Sequence, residues 1–359
     1  MFYWLTEPML YLCFAIVSGY VLLNVVPAPY RPVTLISGKL VAFAALGIGL
    51  FSFFPILRIV SFFSDDIGWG LTFTNVMSEF AEGKTYWLTL IVSLLLAARI
   101  YTARRIDHAA TLRIVLLMLA ILIIAQGWIS HVASWYGTWG ILSQTLHILA
   151  VSLWVGPLLL AGWSKGRTEH WSGFLSWYHP MAILCFMVTA ASGFVLTIGV
   201  APEYTNAWKL PYGQALLIKH LLIVPLVLFA FINGFWIKRK LRQQEDFNPK
   251  IWAKAESLIL LLIFSVTGYM NQQPAPHDVS NTLNESPASP LYLWFNNGLL
   301  EQDRDVMLSA TPLTVFAFIG SFLAVWAALV CFRRKKVIQT FAWSLISAFL
   351  LYYGLMLAI

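Results

Sequence analysis

Ten stretches of this chain are long and apolar enough to approach or exceed a bilayer's thickness, and no other feature restricts its fold so strongly. They lie at about 9–27, 39–62, 86–101, 114–135, 141–163, 174–199, 213–237, 252–272, 312–332 and 340–359. A helix needs roughly 20 apolar residues to cross the hydrocarbon core. In lipid, a helix also satisfies its backbone polar groups internally. The 86–101 run is short, and its status as a span depends on Arg99 and Tyr101 snorkelling to the interface, so the count is eight to ten. Charged residues make up only 11% of the chain, against about 25% in soluble domains. A water-facing surface of this size cannot be covered with so few. The expected fold is all-α: a polytopic transmembrane helical bundle, with the lipid bilayer as its main partner.

The basic residues orient the bundle. The connections 27–39, 99–113, 164–173, 238–254 and 333–339 hold 18 Lys and Arg, whereas the alternate connections hold only Lys84, Lys209 and Arg304. Cytoplasmic connections carry the positive excess, so both termini are expected outside. The net charge of +7 is thereby explained without nucleic acid. MFYWLTEPML at the N-terminus lacks a basic leader region, so the first run reads as a retained span. Cys13, Cys185 and Cys331 all sit in apolar runs, spaced neither as a disulfide framework nor as a CxxC metal motif. The outer 271–311 segment, rich in Pro, Ser and Asn, reads as a long loop, with a short helix near 291–300.

Within the spans, ionisable residues are costly and mark interior positions. Gln126 to Gly156 reads as a helical hairpin turning at Trp135–Gly140, with His131 and His147 on its two arms. At 1.5 Å per residue, His131 lies roughly 6 Å deep, His147 roughly 9 Å and His220 roughly 10–11 Å. All three fall in one outer-leaflet layer. Imidazole binds copper, zinc, iron and nickel, and thioether and thiolate favour Cu(I). Met9 and Cys13, one helical turn apart, and Met270 at the end of the eighth span could supply soft ligands. Each histidine also reads as an interhelical hydrogen-bonding residue, and Met9, Cys13 and Met270 as packing. Lys219 lies inside the seventh span and needs an acid, carbonyls or water. Glu256 opens the eighth, with no sequence reason to pair the two.

These residues fall in recognisable motifs. TLHILAVSLWVGPLLL (145–160) resembles the LHLLAAxxWxGG signature of the copper-resistance protein D (CopD-like) membrane family, and WISHVAS (128–134) its preceding GHA element. The segment 182–193 is similar to the next span, which ends in a Thr-Gly or Ser-Gly pair. YGQALLIKHLLI (212–223) resembles YGxxLLxK, FING (231–234) falls at the family's following Asn, and 256–276 resembles its Glu-initiated span. Ser130 stands where the family has Gly, Pro157 replaces a second Gly, Tyr178-His179 replaces Phe-Ser, and Pro274-Ala275-Pro276 replaces two adjacent prolines. His220 is not a position expected of the family.

The resemblance implies copper transport, mostly uptake, with His131 and His147 as the membrane histidines and Lys219 and Glu256 as motif residues. It divides the chain into N-terminal spans at 1–125, a core at 126–276, an outer loop at 277–311 and a final pair of spans at 312–359. No CopC-type domain is fused, so an extracytoplasmic copper-binding protein of that type is the implied partner. The chain lacks the GxxxxGK[ST] nucleotide-binding motif, and transport rather than enzymatic catalysis is expected. Two other functions fit paired membrane histidines: a b-type haem or redox protein, and an assembly factor that delivers copper without transporting it. Oligomeric state is not legible.

Overall fold

The computed structural model describes residues 3–32, 36–103, 108–165, 168–242, 247–302 and 304–359. Among them every regular element is helical. Ten helical stretches are long and apolar enough to cross a membrane, matching the ten runs. The described chain forms two compact units, 1–199 and 200–359, and the division falls inside the 126–276 stretch.

The first unit contains α1 (Thr6–Val25), α2 (Gly38–Phe51), α3 (Phe54–Ile67), α4 (Trp69–Glu79), α5 (Ala81–Thr102), α6 (Ala109–Trp128), α7 (His131–Trp163) and α8 (Trp171–Val200). Its core packs Phe14, Val17 and Val21 of α1 against Val41, Ala45 and Ile48 of α2, Leu96 of α5, Leu122 of α6 and Ile148 of α7. The second run is broken at Ser52–Phe53. Pro55 begins α3 there, and Gln126 donates to the Ser52 hydroxyl at 3.2 Å. α3 and α4 close over a smaller core of Ile56, Val60, Val76 and Met77. α5 is a full-length span, so Arg99 is not needed to extend a short one; its guanidinium meets the Thr111 hydroxyl of α6.

α1 and α7 cross with backbone against backbone. A Cβ on Gly19 would lie 2.3 Å from the Gly156 carbonyl carbon, and one on Gly156 would lie 2.2 Å from the Ala15 oxygen. Small residues permit such an approach, and without a hydrophobic driving force in lipid it is van der Waals contact that holds the helices.

The second unit contains α9 (Pro211–Leu221), α10 (Ile223–Phe231), a π-helical turn (Ile232–Ile237), α11 (Lys238–Arg242), α12 (Pro249–Met270), α13 (Val279–Glu285), α14 (Pro290–Phe295), α15 (Pro312–Arg333) and α16 (Val337–Leu357). Pro225 has no N–H for the Leu221 carbonyl, which accounts for the break between α9 and α10. α15 and α16 pair along small residues, with Ala317, Ser321, Ala324 and Ala328 on one and Thr340, Ser344 and Ser347 on the other, all buried. The Ser321 hydroxyl donates across to the Ser347 carbonyl at 2.9 Å.

The 271–311 segment is folded. α13 and α14 lie within it, and Tyr292 joins Trp208, Leu217 and Met356 in a small core. Lys209, 2% exposed, fixes the far end of the segment. Its ammonium donates to the carbonyls of Glu301, Gln302 and Arg304 at 2.8, 3.2 and 2.6 Å. The helix expected near 291–300 is α14, which stops at Phe295; Asn297 and Gly298 take positive φ and end it.

Candidate functional site

The hairpin forms, but its turn lies earlier than expected. α6 ends at Trp128, Ile129 caps it, and Ser130 N-caps the next helix by accepting from the Ala133 N–H at 3.2 Å. His131 therefore opens α7 instead of lying about four residues inside the fourth span, and it is exposed. A Ser before a helical run is a strong N-cap signal, and here it outweighs the Gly/Trp/Tyr composition of 135–140. Within that expected turn, Gly137 breaks the helix with φ 50° and ψ −126°. A short helical segment, 131–136, thus folds against the long arm of α7. A Cβ on Gly140 would meet the Val132 carbonyl oxygen at 2.3 Å, and one on Gly127 the Thr145 hydroxyl at 2.1 Å. These two glycines bring the parts of the hairpin together.

His147 is half-buried on the long arm and faces α8. Its Nδ1 lies 3.1 Å from the Ser192 Oγ. The Ser192 hydroxyl donates to the Val188 carbonyl at 2.7 Å, so its oxygen is the acceptor and His147 Nδ1 carries the proton. A ring nitrogen held by a hydrogen bond is the usual support of an imidazole that ligates a metal through its other nitrogen. Gly193 leaves room for the ring, since a Cβ there would lie 3.3 Å from His147 Cε1. The Ser-Gly pair of the 182–193 motif thus serves the histidine of the preceding one.

His220 belongs to the second unit and has a different environment. The Tyr204 hydroxyl and His220 Nδ1 are 2.8 Å apart. This contact occupies His220 Nδ1 whichever of the two groups donates. Lys219, the adjacent residue, is half-buried, with no hydrogen bond or ion pair among the described residues.

The three candidate soft ligands differ in their surroundings. Cys13 is buried with its sulfur against Gly47 of α2, where a Cβ would lie 2.6 Å from Sγ. Met9 is exposed and Met270 buried. Among the described residues, no three His, Cys, Asp or Glu side chains gather as a metal site.

A second polar pair joins Glu256, one of the expected residues, to Asn233, which was not among them. Glu256, 2% exposed, accepts from the Asn233 amide at 2.6 Å, and that amide also reaches the Trp252 carbonyl at 3.3 Å. Asn233 lies in the π-helical turn, a distortion frequent at functional sites. The two residues come from separate motifs, FING and the Glu-initiated span, and only the fold joins them.

Residues 172–270 match the family model for copper resistance protein D. The stretch includes Ser192, Lys219, His220, Asn233 and Glu256, whereas His131 and His147 precede it. The Inner membrane protein YebZ of Escherichia coli (strain K12) is 28% identical over 112 residues, covering 29% of this chain and 37% of that protein. The shared stretch is thus little more than a third of the relative's length. No solved structure matches the chain. The match supports the motif resemblance, and the ten apolar helices with the inner-membrane relative describe a multi-pass protein of the cytoplasmic membrane.

Proposed function

From a chain carrying a copper resistance protein D stretch at 172–270, we propose copper uptake across the cytoplasmic membrane, with the metal received at His147 and guided to it by His131. The observation that carries this reading is the Nδ1 hydrogen bond from His147 to Ser192. It orients the imidazole against α8, and imidazole suits copper as cargo. His131 is exposed where α7 begins, and in this reading it meets metal arriving from the side with few basic residues, the outer one by the charge bias. A copper-binding protein of the CopC type would deliver it there.

The test is copper accumulation in sealed vesicles containing the purified protein. Ser192→Ala leaves the ring without its second bond and should weaken copper binding by about 10–100-fold. His147→Ala should abolish accumulation. Wild-type accumulation by His147→Ala would overturn the assignment. Binding without accumulation in the wild type would favour delivery to a partner over transport.

A further inference from the structure

The seam between α7 and α8 carries a file of polar and sulfur groups that packing does not explain. Three α8 positions seven residues apart, Tyr178, Cys185 and Ser192, lie on one face of the helix. The first and last of them bond α7: the Tyr178 hydroxyl donates to the Trp154 carbonyl at 3.0 Å, and Ser192 meets His147. Cys185, between them and 5% exposed, therefore faces α7 as well. It lies level with Trp154, whose ring packs edge-on against Phe186 with centroids 5.9 Å apart. Trp154 is 4% exposed, yet among the described residues its indole N–H has no hydrogen-bond partner, and neither does the buried hydroxyl of Thr189. An unsatisfied polar group in the hydrocarbon layer costs several kcal/mol. Two of them in one seam, beside a thiol, mark a place where polar or ionic species enter. Pro157 adds to this, because it withdraws the N–H that would bond the Leu153 carbonyl.

We propose that this seam is a conduction path for soft monovalent cations, running from His147 past Thr189 to a second station at the Cys185 sulfur. This rests on the capture role of His147 given above, and it supplies the route inward. Seven residues separate His147 from Trp154, so the two stations are roughly 10 Å apart along the helix axis. At Cys185 the S–H proton passes to seam water as a sulfur–metal bond forms, and the metal's oxidation state does not change. Trp154 and Thr189 hold that water by donating and accepting hydrogen bonds.

Silver ion, a monovalent thiol-binding probe, tests the path without copper. The full-length protein in lipid nanodiscs is exposed to Ag(I), then denatured and alkylated, and the blocked thiols are mapped by mass spectrometry. Cys13 is the internal standard, because it too is buried but packs against the Gly47 backbone. Ag(I) should block Cys185 about tenfold faster than Cys13, a barrier difference near 1.4 kcal/mol. Thr189→Val should remove most of that advantage and Thr189→Ser restore it. Equal blocking of Cys185 and Cys13 in the wild type overturns the path. Loss of copper accumulation in His147→Ala alongside that result would leave the capture role standing and refute only the seam.

Discussion

Replacing Gly156 by Ala tests whether the α1–α7 crossing holds the histidine-bearing helix in place. The added Cβ would sit 2.2 Å from the Ala15 oxygen and 2.6 Å from the Gly19 nitrogen. Uncharged heavy atoms settle at about 3.5–4.0 Å, so the helices must part by about 1 Å. No rotamer change relieves the clash, because the neighbours are backbone. A radial gap of that size forfeits about a quarter to a half of each contact along the seam, where Phe14, Ala15, Val17, Ser18 and Val21 are all buried. Overpacking of a rigid site costs about 1–3 kcal/mol, and we place this one at the upper end. At about 2–4 °C per kcal/mol for a unit of this size, the melting temperature falls by about 6–12 °C. Tryptophan fluorescence during heating of detergent-solubilised protein reads the change. Gly70→Ala is the control, since a Cβ there meets nothing within 4 Å. If Gly156→Ala melts with Gly70→Ala, the crossing is not as close as described and the reasoning fails.

Three further outcomes are expected. Asn233→Leu removes an amide donor from buried Glu256 and should cost about 1–3 kcal/mol; an unchanged melting temperature would refute the pair's importance. Tyr204, with its phenol raised to about 12 by burial, binds its proton more tightly folded than unfolded. Its contribution is therefore intact below the ordinary tyrosine value of about 10 and declines as pH rises from there towards about 12, a decline that the alkaline melting profile of Tyr204→Phe should lack. Lys209→Met leaves three carbonyls without their donor, so trypsin should cut after Arg304 about tenfold faster, the equivalent of some 1.4 kcal/mol of lost closure; equal cleavage would show that the lysine does not hold the segment.

The sequence made the helices legible because the bilayer imposes one length and one composition on all ten. Breaks within them were less visible. Pro55 and Pro225 signal the interruptions of the second and seventh spans locally, but Ser130 competes with a Gly-rich stretch, and only capping geometry decides where α7 begins. The site was readable in parts. His147 stood out as an imidazole in apolar sequence, while Ser192, 45 residues away, is an ordinary small residue until the fold sets it opposite. Depth placed His131, His147 and His220 in one layer, yet depth carries no information on what a ring bonds, and His220 differs from His147 because Tyr204 lies beside it. The Gly19–Gly156 crossing was not foreseen, since isolated glycines in apolar runs are common and a close approach is a property of two helices together.

The lysine that closes the 271–311 segment also sets an order of events in synthesis. Lys209 is made 92 residues before the first carbonyl that receives it. At about 5–20 residues per second, its ammonium waits roughly 5–20 s for that partner. During this interval α9 can insert, but the charge next to it remains in the aqueous layer, and the surface that Tyr292 later covers stays open. Ser309 then bonds the Ala358 carbonyl at 2.6 Å, so the end of α16 completes the closure. The second unit thus reaches its final form only after translation has delivered its last helix.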